Sequence, residues 1–302
     1  MKLNPLVRSG VCSESVSRAQ RSRKQMAVTG LVVFFAALFA VVLTAPRSSS
    51  AQSAGSSTSP WAGSVDPALI NDLVYANRIL YDQGVLDGFG HVSVRDPKNP
   101  SHFLLSRSMA PALVTAKDIV EYDAQGEPVN PGSPNGYLER YIHAAMYRAR
   151  PDVNSVVHSH SAAILPFGLT GTPLRAVYHM SGFLGSSGVP IFDIRDVAGQ
   201  TDMLISSNKL GDALAKVLGD HTVVLMRGHG SVAVGKSIQE AVFRAVYAEV
   251  NSRIQMDAMK LGDVKYLSQE EAAMAAATVG AQIGRSWDLW KRRIGNLDAA
   301  SH

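Results

Sequence analysis

The chain has 302 residues, 46% hydrophobic and 18% charged, a balance ordinary for a soluble α/β or α+β protein. Its formal charge of +4 is unevenly spread: residues 1–51 hold seven bases (Lys2, Arg8, Arg18, Arg21, Arg23, Lys24, Arg47) and the acid Glu14, a net of +6, which leaves −2 for the remainder. A faintly acidic body offers no electrostatic footprint for nucleic acid, and the single cysteine, Cys12, leaves that body without disulfides or thiolate chemistry.

Residues 27–45 are 19 uncharged, mostly apolar residues behind the basic run Arg21-Ser22-Arg23-Lys24, followed by Pro46 and the small-residue stretch Ser48-Ser49-Ser50-Ala51. A basic segment, an apolar core and a Ser49-x-Ala51 cleavage site predict a signal peptide over 1–51, and 19 residues also suffice for an uncleaved membrane anchor. The expected location is periplasmic or secreted, with membrane contact only through this segment. A start codon assigned too far upstream would make the protein cytoplasmic instead. Residues 52–65, rich in Ser, Ala and Gly, read as a flexible linker.

The folded domain is expected over 66–285. Asp66-Pro67 opens a helix whose apolar stripe is Leu69, Ile70, Leu73, Val74 and Leu80, with Gly84 as its stop. After Gly88-Phe89-Gly90 comes a short strand over 91–95, then a second at 103–105 running into Ser106-Arg107-Ser108. Thr115-x-x-Asp118 starts a helical turn, and Glu121-Tyr122-Asp123 enters a turn at Gln125-Gly126. A helix is predicted over 137–150, ended by Pro151, and a strand over 153–160. Ser161 to Leu165 opens another helix, residues 172–200 are loop-rich around the strand-like Pro190-Ile191-Phe192, and a helix over 207–218 leads to a strand over 223–226. Ser237-x-x-Glu240 and Ser268-x-x-Glu271 are capping boxes for two further helices. Residues 286–302, with Trp287, Trp290 and Lys291-Arg292-Arg293, form a C-terminal tail that is helical or loosely ordered. Strands alternating with helices and no internal repeat point to one layered α/β domain.

Three histidines carry the candidate chemistry. In Val156-Val157-His158-Ser159-His160 the two imidazoles lie two apart on a strand, so they point to one face. Val223-Val224-Leu225-Met226 ends in Arg227-Gly228-His229-Gly230, where small neighbours permit close approach of a third imidazole. Three neutral imidazoles with an open position suit a catalytic divalent metal, although hydrogen-bonded core histidines fit the same spacing. Glu139 reads either as an acid/base or fourth ligand, or as a first-turn glutamate facing the helix dipole. His143, four residues on, shares its helix face.

Taken together, Gly-x-x-Ser-Val-Arg (Gly90 to Arg95), Glu139-x-x-x-His143, Arg150-Pro-Asp-x-x-x-Val-Val-His-x-His160 and His229-Gly230 resemble, in order and spacing, the class II aldolase/adducin family over about residues 66–265. The resemblance implies a three-layer α/β/α domain with a central mixed, mostly antiparallel sheet. It further implies one divalent metal per subunit (zinc, manganese or iron) on His158, His160 and His229, with Glu139 as acid/base. It also implies a homotetramer or larger, with the site between subunits.

Where the family's sugar-phosphate aldolases hold phosphate with Asn in Gly-Asn-x-Ser, Gly in Pro-Ser-Gly and a Ser-Ser pair before the glutamate, this chain has His91, Met109 and Tyr137-Leu138. That exchange of small donors for bulk argues against a phosphosugar. The donors expected near the site are His91, Arg107 and Arg227, and arginine forks favour carboxylates. Tyr137-Leu138-Glu139-Arg140, His158-Ser159-His160-Ser161, Pro166-Phe167-Gly168 and Met226 to Gly230 are similar to the branch that decarboxylates hydroxylated aromatic or heteroaromatic acids such as dihydroxyphthalate and pyridine-dicarboxylate. The expectation is a metal-dependent carbon–carbon lyase, a decarboxylase acting on a small carboxylate. The alternatives are an aldolase or epimerase on a non-phosphorylated aldehyde, a redox-active iron at the same histidines, or a non-catalytic adducin-like binding protein.

Overall fold

The computed structural model describes residues 65–297. The leader expected at 1–51, the linker at 52–65 apart from Val65, and residues 298–302 of the tail lie outside the described residues. Among the described residues no helix is long and apolar enough to cross a membrane.

The strands are β1 (His91–Arg95), β2 (Phe103–Ser106), β3 (Ile119–Tyr122), β4 (Ser155–Ser159), β5 (Ile191–Phe192), β6 (Val223–Met226) and β7 (Gly230–Gly235). They form a seven-stranded sheet in the order β3-β2-β1-β4-β7-β6-β5. Each adjacent pair is antiparallel except β5 with β6. The sheet is therefore mixed and mostly antiparallel, as expected.

The helices are α1 (Pro67–Asp82), α2 (Arg140–Ala149), α3 (Leu165–Leu169), α4 (Arg195–Ala198), α5 (Asn208–Leu218), α6 (Ile238–Leu261), α7 (Gln269–Gly280) and α8 (Ile283–Ile294). The period-2 alternation of the strands sorts their side chains into two cores. Val92, Val94, Leu104, Val157, Leu225 and Ala233 pack with α1, α6 and α8 on one face. Phe103, Leu105, Val156, Val224, Val232 and Val234 pack with α2 and α5 on the other. A sheet buried on both faces between helix layers is the expected α/β/α arrangement, and it explains why these strands read as short apolar runs.

The anticipated caps form. Asp66 Oδ1 accepts the Ala68 amide at 2.9 Å, Ser237 Oγ accepts that of Glu240 at 3.1 Å, and Ser268 and Glu271 bond reciprocally at 3.1 and 2.8 Å.

Three departures from expectation bear on the site and the domain boundary. Helix α2 starts at Arg140 rather than at 137, with Glu139 as its N-cap residue at φ −93°, ψ 19° and no capping bond from its side chain. Strand β7 has no counterpart among the predicted elements, because glycines bracket its Gly-Ser-Val-Ala-Val-Gly sequence, yet it pairs with both β4 and β6. Helix α8 crosses the domain end expected at 285, because Trp287 and Trp290 are buried in the α1/α6 core and tie the tail to it.

Candidate metal centre and active site

Strand parity sets the foundation of the site. His158 shares the face of Val156, and His91 and Ser93 lie opposite Val92 and Val94, so all three turn toward the α2 layer. The registers His91↔His158 and His158↔Val232 hold β4 between β1 and β7, which fixes the His158 backbone on both sides. His160 stands one residue beyond the end of β4. His229 sits in the three-residue turn Arg227-Gly228-His229 that joins β6 to β7, with its amide donating to the Met226 carbonyl at 3.1 Å.

Two glycines make that turn workable. Gly228 has φ +64°, in the left-handed region that disfavours a β-carbon. At Gly230 a β-carbon would lie 2.1 Å from the Ser159 carbonyl oxygen and 3.3 Å from the His160 Cα, so only glycine lets the hairpin close on the end of β4.

The three imidazoles converge. His160 Nε2 lies 3.1 Å from His158 Nε2 and 3.2 Å from His229 Nε2. Glu139 Oε2 lies 3.4 Å from both His158 Nε2 and His229 Nε2. One ligating atom from each of these four residues falls within 4.8 Å of all the others. The outer ring nitrogens decide which atoms face the middle. His158 Nδ1 faces the Ser231 carbonyl at 3.1 Å and His229 Nδ1 faces the Met203 carbonyl at 2.9 Å. A carbonyl only accepts, so each Nδ1 carries the proton and, in the neutral ring, each Nε2 presents a bare lone pair to the centre. Lone pairs crowded in this way repel each other unless a cation is shared between them. Bonds of about 2.0–2.1 Å in a tetrahedral site place ligand atoms roughly 3.3 Å apart, close to the observed spacings. The residues therefore fit a divalent metal on three histidines, with Glu139 beside it.

Glu139 reaches the centre because it caps α2 rather than lying within it. Its Oε1 accepts the Ile205 amide at 2.9 Å, which leaves Oε2 facing the histidines. Burial alone would raise this carboxyl, but His158 and His229 outweigh burial and hold it well below the ordinary carboxylate range. His229 moves the opposite way: burial would lower it, yet the Glu139 carboxylate and the Met203 carbonyl raise it. His160 is lowered to about 4 by burial and by its two histidine neighbours.

The donors expected around the centre are arranged differently. His91 is buried, with Nδ1 2.6 Å from His143 Nε2 and its ring centroid 5.1 Å from that of His158. His143 Nδ1 in turn pairs with Ser93 Oγ at 2.6 Å, and Ser93 Oγ with Tyr147 Oη at 2.7 Å. Burial, followed by His143 and His158, pushes His91 well below its usual value, so it is neutral and packs behind the site rather than presenting a positive charge. His143 is a member of the same buried row, a supporting place. Arg107 Nε is bound to Asp118 at 2.7 Å and Arg227 Nε to Asp193 at 2.7 Å, so each expected carboxylate-binding arginine already holds an acid of this chain.

Sequence reasoning did not anticipate Glu249. Its buried carboxylate on α6 accepts the Ser161 hydroxyl and the Ala163 amide, and so ties down the segment that follows His160. The one signal for it was a glutamate amid the apolar positions of a long helix.

Comparison with known proteins identifies the family and its fold. The family model described as Class II Aldolase and Adducin N-terminal domain matches residues 71–256. A protein of Talaromyces stipitatus named decarboxylase tropJ is 42% identical over 240 residues, which is 72% of this chain and 90% of the relative. A 3,4-dihydroxyphthalate decarboxylase of Terrabacter is 30% identical over 235 residues, covering 73% of this chain and 94% of that protein. Among solved structures, an aldolase II superfamily protein from Pseudomonas syringae superposes with a TM-score of 0.63 at 23% identity, covering 76% of this chain and 94% of the other, and so shares the fold. With relatives of this identity named as decarboxylases, the chain is an enzyme of the lyase class. It belongs to the class II aldolase/adducin family, whose domain it carries over residues 71–256.

Proposed function

We propose that the protein is a divalent-metal-dependent decarboxylase of a hydroxylated aromatic or heteroaromatic carboxylic acid. The observation that carries the metal is the Nε2 triangle of His158, His160 and His229, with two of the Nδ1 atoms committed to carbonyls. The relatives named as decarboxylases support the reaction class. A divalent cation on these histidines supplies a fixed positive charge for the oxyanion that develops as the carbon–carbon bond breaks.

The roles of the side chains follow from their environments. Glu139 rests as a carboxylate, so it acts first as a base on a substrate hydroxyl. The carboxylate carbon then leaves as CO2 and its bonding pair stays on the ring carbon. Glu139 returns the proton to that carbon, and solvent makes up the one proton the overall reaction consumes. Its anchoring through Oε1 to Ile205 keeps Oε2 aimed at one point during both transfers. In this reading Arg227 and Arg107 orient the substrate's carboxylates, which must share or displace Asp193 and Asp118. Export through the leader and assembly as a homotetramer or larger belong to the same proposal.

The test is product analysis. Metal-loaded protein is incubated with a panel of hydroxylated benzoates, phthalates and pyridine-carboxylates, and CO2 release is measured beside a Glu139→Gln variant. Release that falls about 100-fold or more in the variant supports the reading. An aldehyde product from a non-phosphorylated hydroxy-carbonyl substrate, with no CO2 from any of the acids, would replace it with the aldolase alternative.

A further inference from the structure

Phe89 stands apart from the other described phenylalanines: it is 70% exposed, whereas Phe103, Phe167, Phe192 and Phe243 are buried and Phe183 is partly buried. The exposed ring is placed beside the centre, with its centroid 6.4 Å from that of His160 and its plane tilted by 44°. Its position is also fixed. Asp87 Oδ1 accepts the Phe89 amide at 2.8 Å and the Phe89 carbonyl accepts the Asp87 amide at 3.4 Å, so the loop is closed on itself. The next residue, Gly90, has φ +83°, and a β-carbon there would meet the His158 carbonyl oxygen at 2.9 Å. The loop therefore lies directly on the backbone of one histidine while its aromatic tip stands beside another. A second exposed apolar side chain, Leu169, neighbours the turn that carries His229, with its Cδ2 3.6 Å from where a Gly228 β-carbon would be. Ligand sites characteristically combine apolar and aromatic walls with a few convergent polar groups, and aromatic rings attract one another when offset or tilted.

We propose that Phe89 is the specificity-determining residue of this site: it stacks on the ring of the substrate and confines the centre to planar aromatic carboxylates. The inference rests on the metal centre argued above and adds to it a residue that selects the substrate class. Phe89 touches neither proton transfer nor metal, so its contribution belongs to ring binding alone.

The test uses the full-length protein loaded with zinc and two probes that each offer a carboxylate and an adjacent hydroxyl, planar salicylate and non-planar lactate. Calorimetric titration gives the affinity of each for the wild type, Phe89→Ala and Phe89→Trp, with zinc content checked by elemental analysis and assembly by sedimentation velocity. Stacking predicts that Phe89→Ala weakens salicylate about 3- to 10-fold, leaves lactate within about 2-fold, and that Phe89→Trp retains salicylate. Unchanged salicylate affinity in Phe89→Ala overturns the proposal. So does an equal loss for both probes, which would place the effect on the centre itself. A change of sedimentation in Phe89→Ala also overturns it, since the ring would then be covering an interface between copies of the chain. Wild type that takes up no zinc sinks the underlying metal-site reading, whereas zinc-loaded wild type that binds neither probe overturns the role of Phe89 alone.

Discussion

Gly230→Ala probes the closure of the metal centre without touching a ligand. A β-carbon at this position would lie 2.1 Å from the Ser159 carbonyl oxygen and 3.0 Å from its carbon, both backbone atoms that cannot rotate away. Ordinary van der Waals contact begins near 3.4 Å, so the β6–β7 hairpin must withdraw from β4 by about 1 Å. The adjacent residues are His229 on one side of the contact and His160 on the other, so that withdrawal separates two ligands of the proposed triangle. Metal sites tolerate only about 0.2 Å in ligand distance. The expected result is a loss of zinc affinity of at least 10- to 100-fold, together with a destabilisation of about 1–3 kcal/mol from overpacking. Gly284→Ala is the control: nothing lies within 4 Å of a β-carbon there, and the position is inside α8, so stability should hold or rise by up to about 1 kcal/mol. Competition with a zinc-binding dye and guanidinium unfolding read the two quantities. Wild-type zinc affinity in Gly230→Ala would refute the argument that this approach builds the site.

Three further outcomes follow from the same geometry. Glu249→Gln keeps the volume but removes the charge that holds Ser161 and Ala163, so stability should fall by about 1–3 kcal/mol and zinc affinity should weaken measurably. An unchanged unfolding midpoint in that variant would show that this tether is idle. His143 is held at about 3 by burial and then His158, against an ordinary value near 6.5. The unfolded chain therefore binds this proton below about pH 6.5 while the fold resists until about pH 3, so stability declines as pH falls through that window. In chelator-treated protein, the loss attributable to His143 between pH 7 and pH 4.5 should be roughly 2–3 kcal/mol, and His143→Gln should flatten that slope in paired denaturation curves. Equal slopes in the two proteins would contradict the assignment. Trp290→Ala should cost about 3–5 kcal/mol by differential scanning calorimetry, because the ring is buried in the α1/α6 core. A loss below about 1 kcal/mol would mean that α8 is a detachable tail after all.

Much of this architecture was legible because it depends on local rules. The caps at Asp66, Ser237 and Ser268 announce their helices, and the spacing of His158 and His160 places both rings on one side of a strand. The rest depends on partners remote in the sequence. Nothing near His91 indicates that His143 on α2 will bond to its ring and take it out of the role of a charged donor. Asp193 and Asp118 reach Arg227 and Arg107 only once β5 lies beside β6 and β3 beside β2. Strand β7 was hidden by its terminal glycines, the first of which is there for close approach to Ser159 rather than for a turn. Glu139 was ambiguous between the dipole of α2 and the centre, and its place as the N-cap residue of a helix that starts at 140 rather than 137, with Oε1 held by the Ile205 amide, leaves Oε2 facing the centre.

The central claim is that His158, His160 and His229 hold one divalent metal. Elemental analysis of full-length protein, purified without chelator and compared with His158→Ala, tests it most directly. About one zinc, manganese or iron ion per chain in the wild type, absent from a folded variant, is the predicted result. Wild-type protein that contains no such metal and takes up none when each is supplied would contradict it.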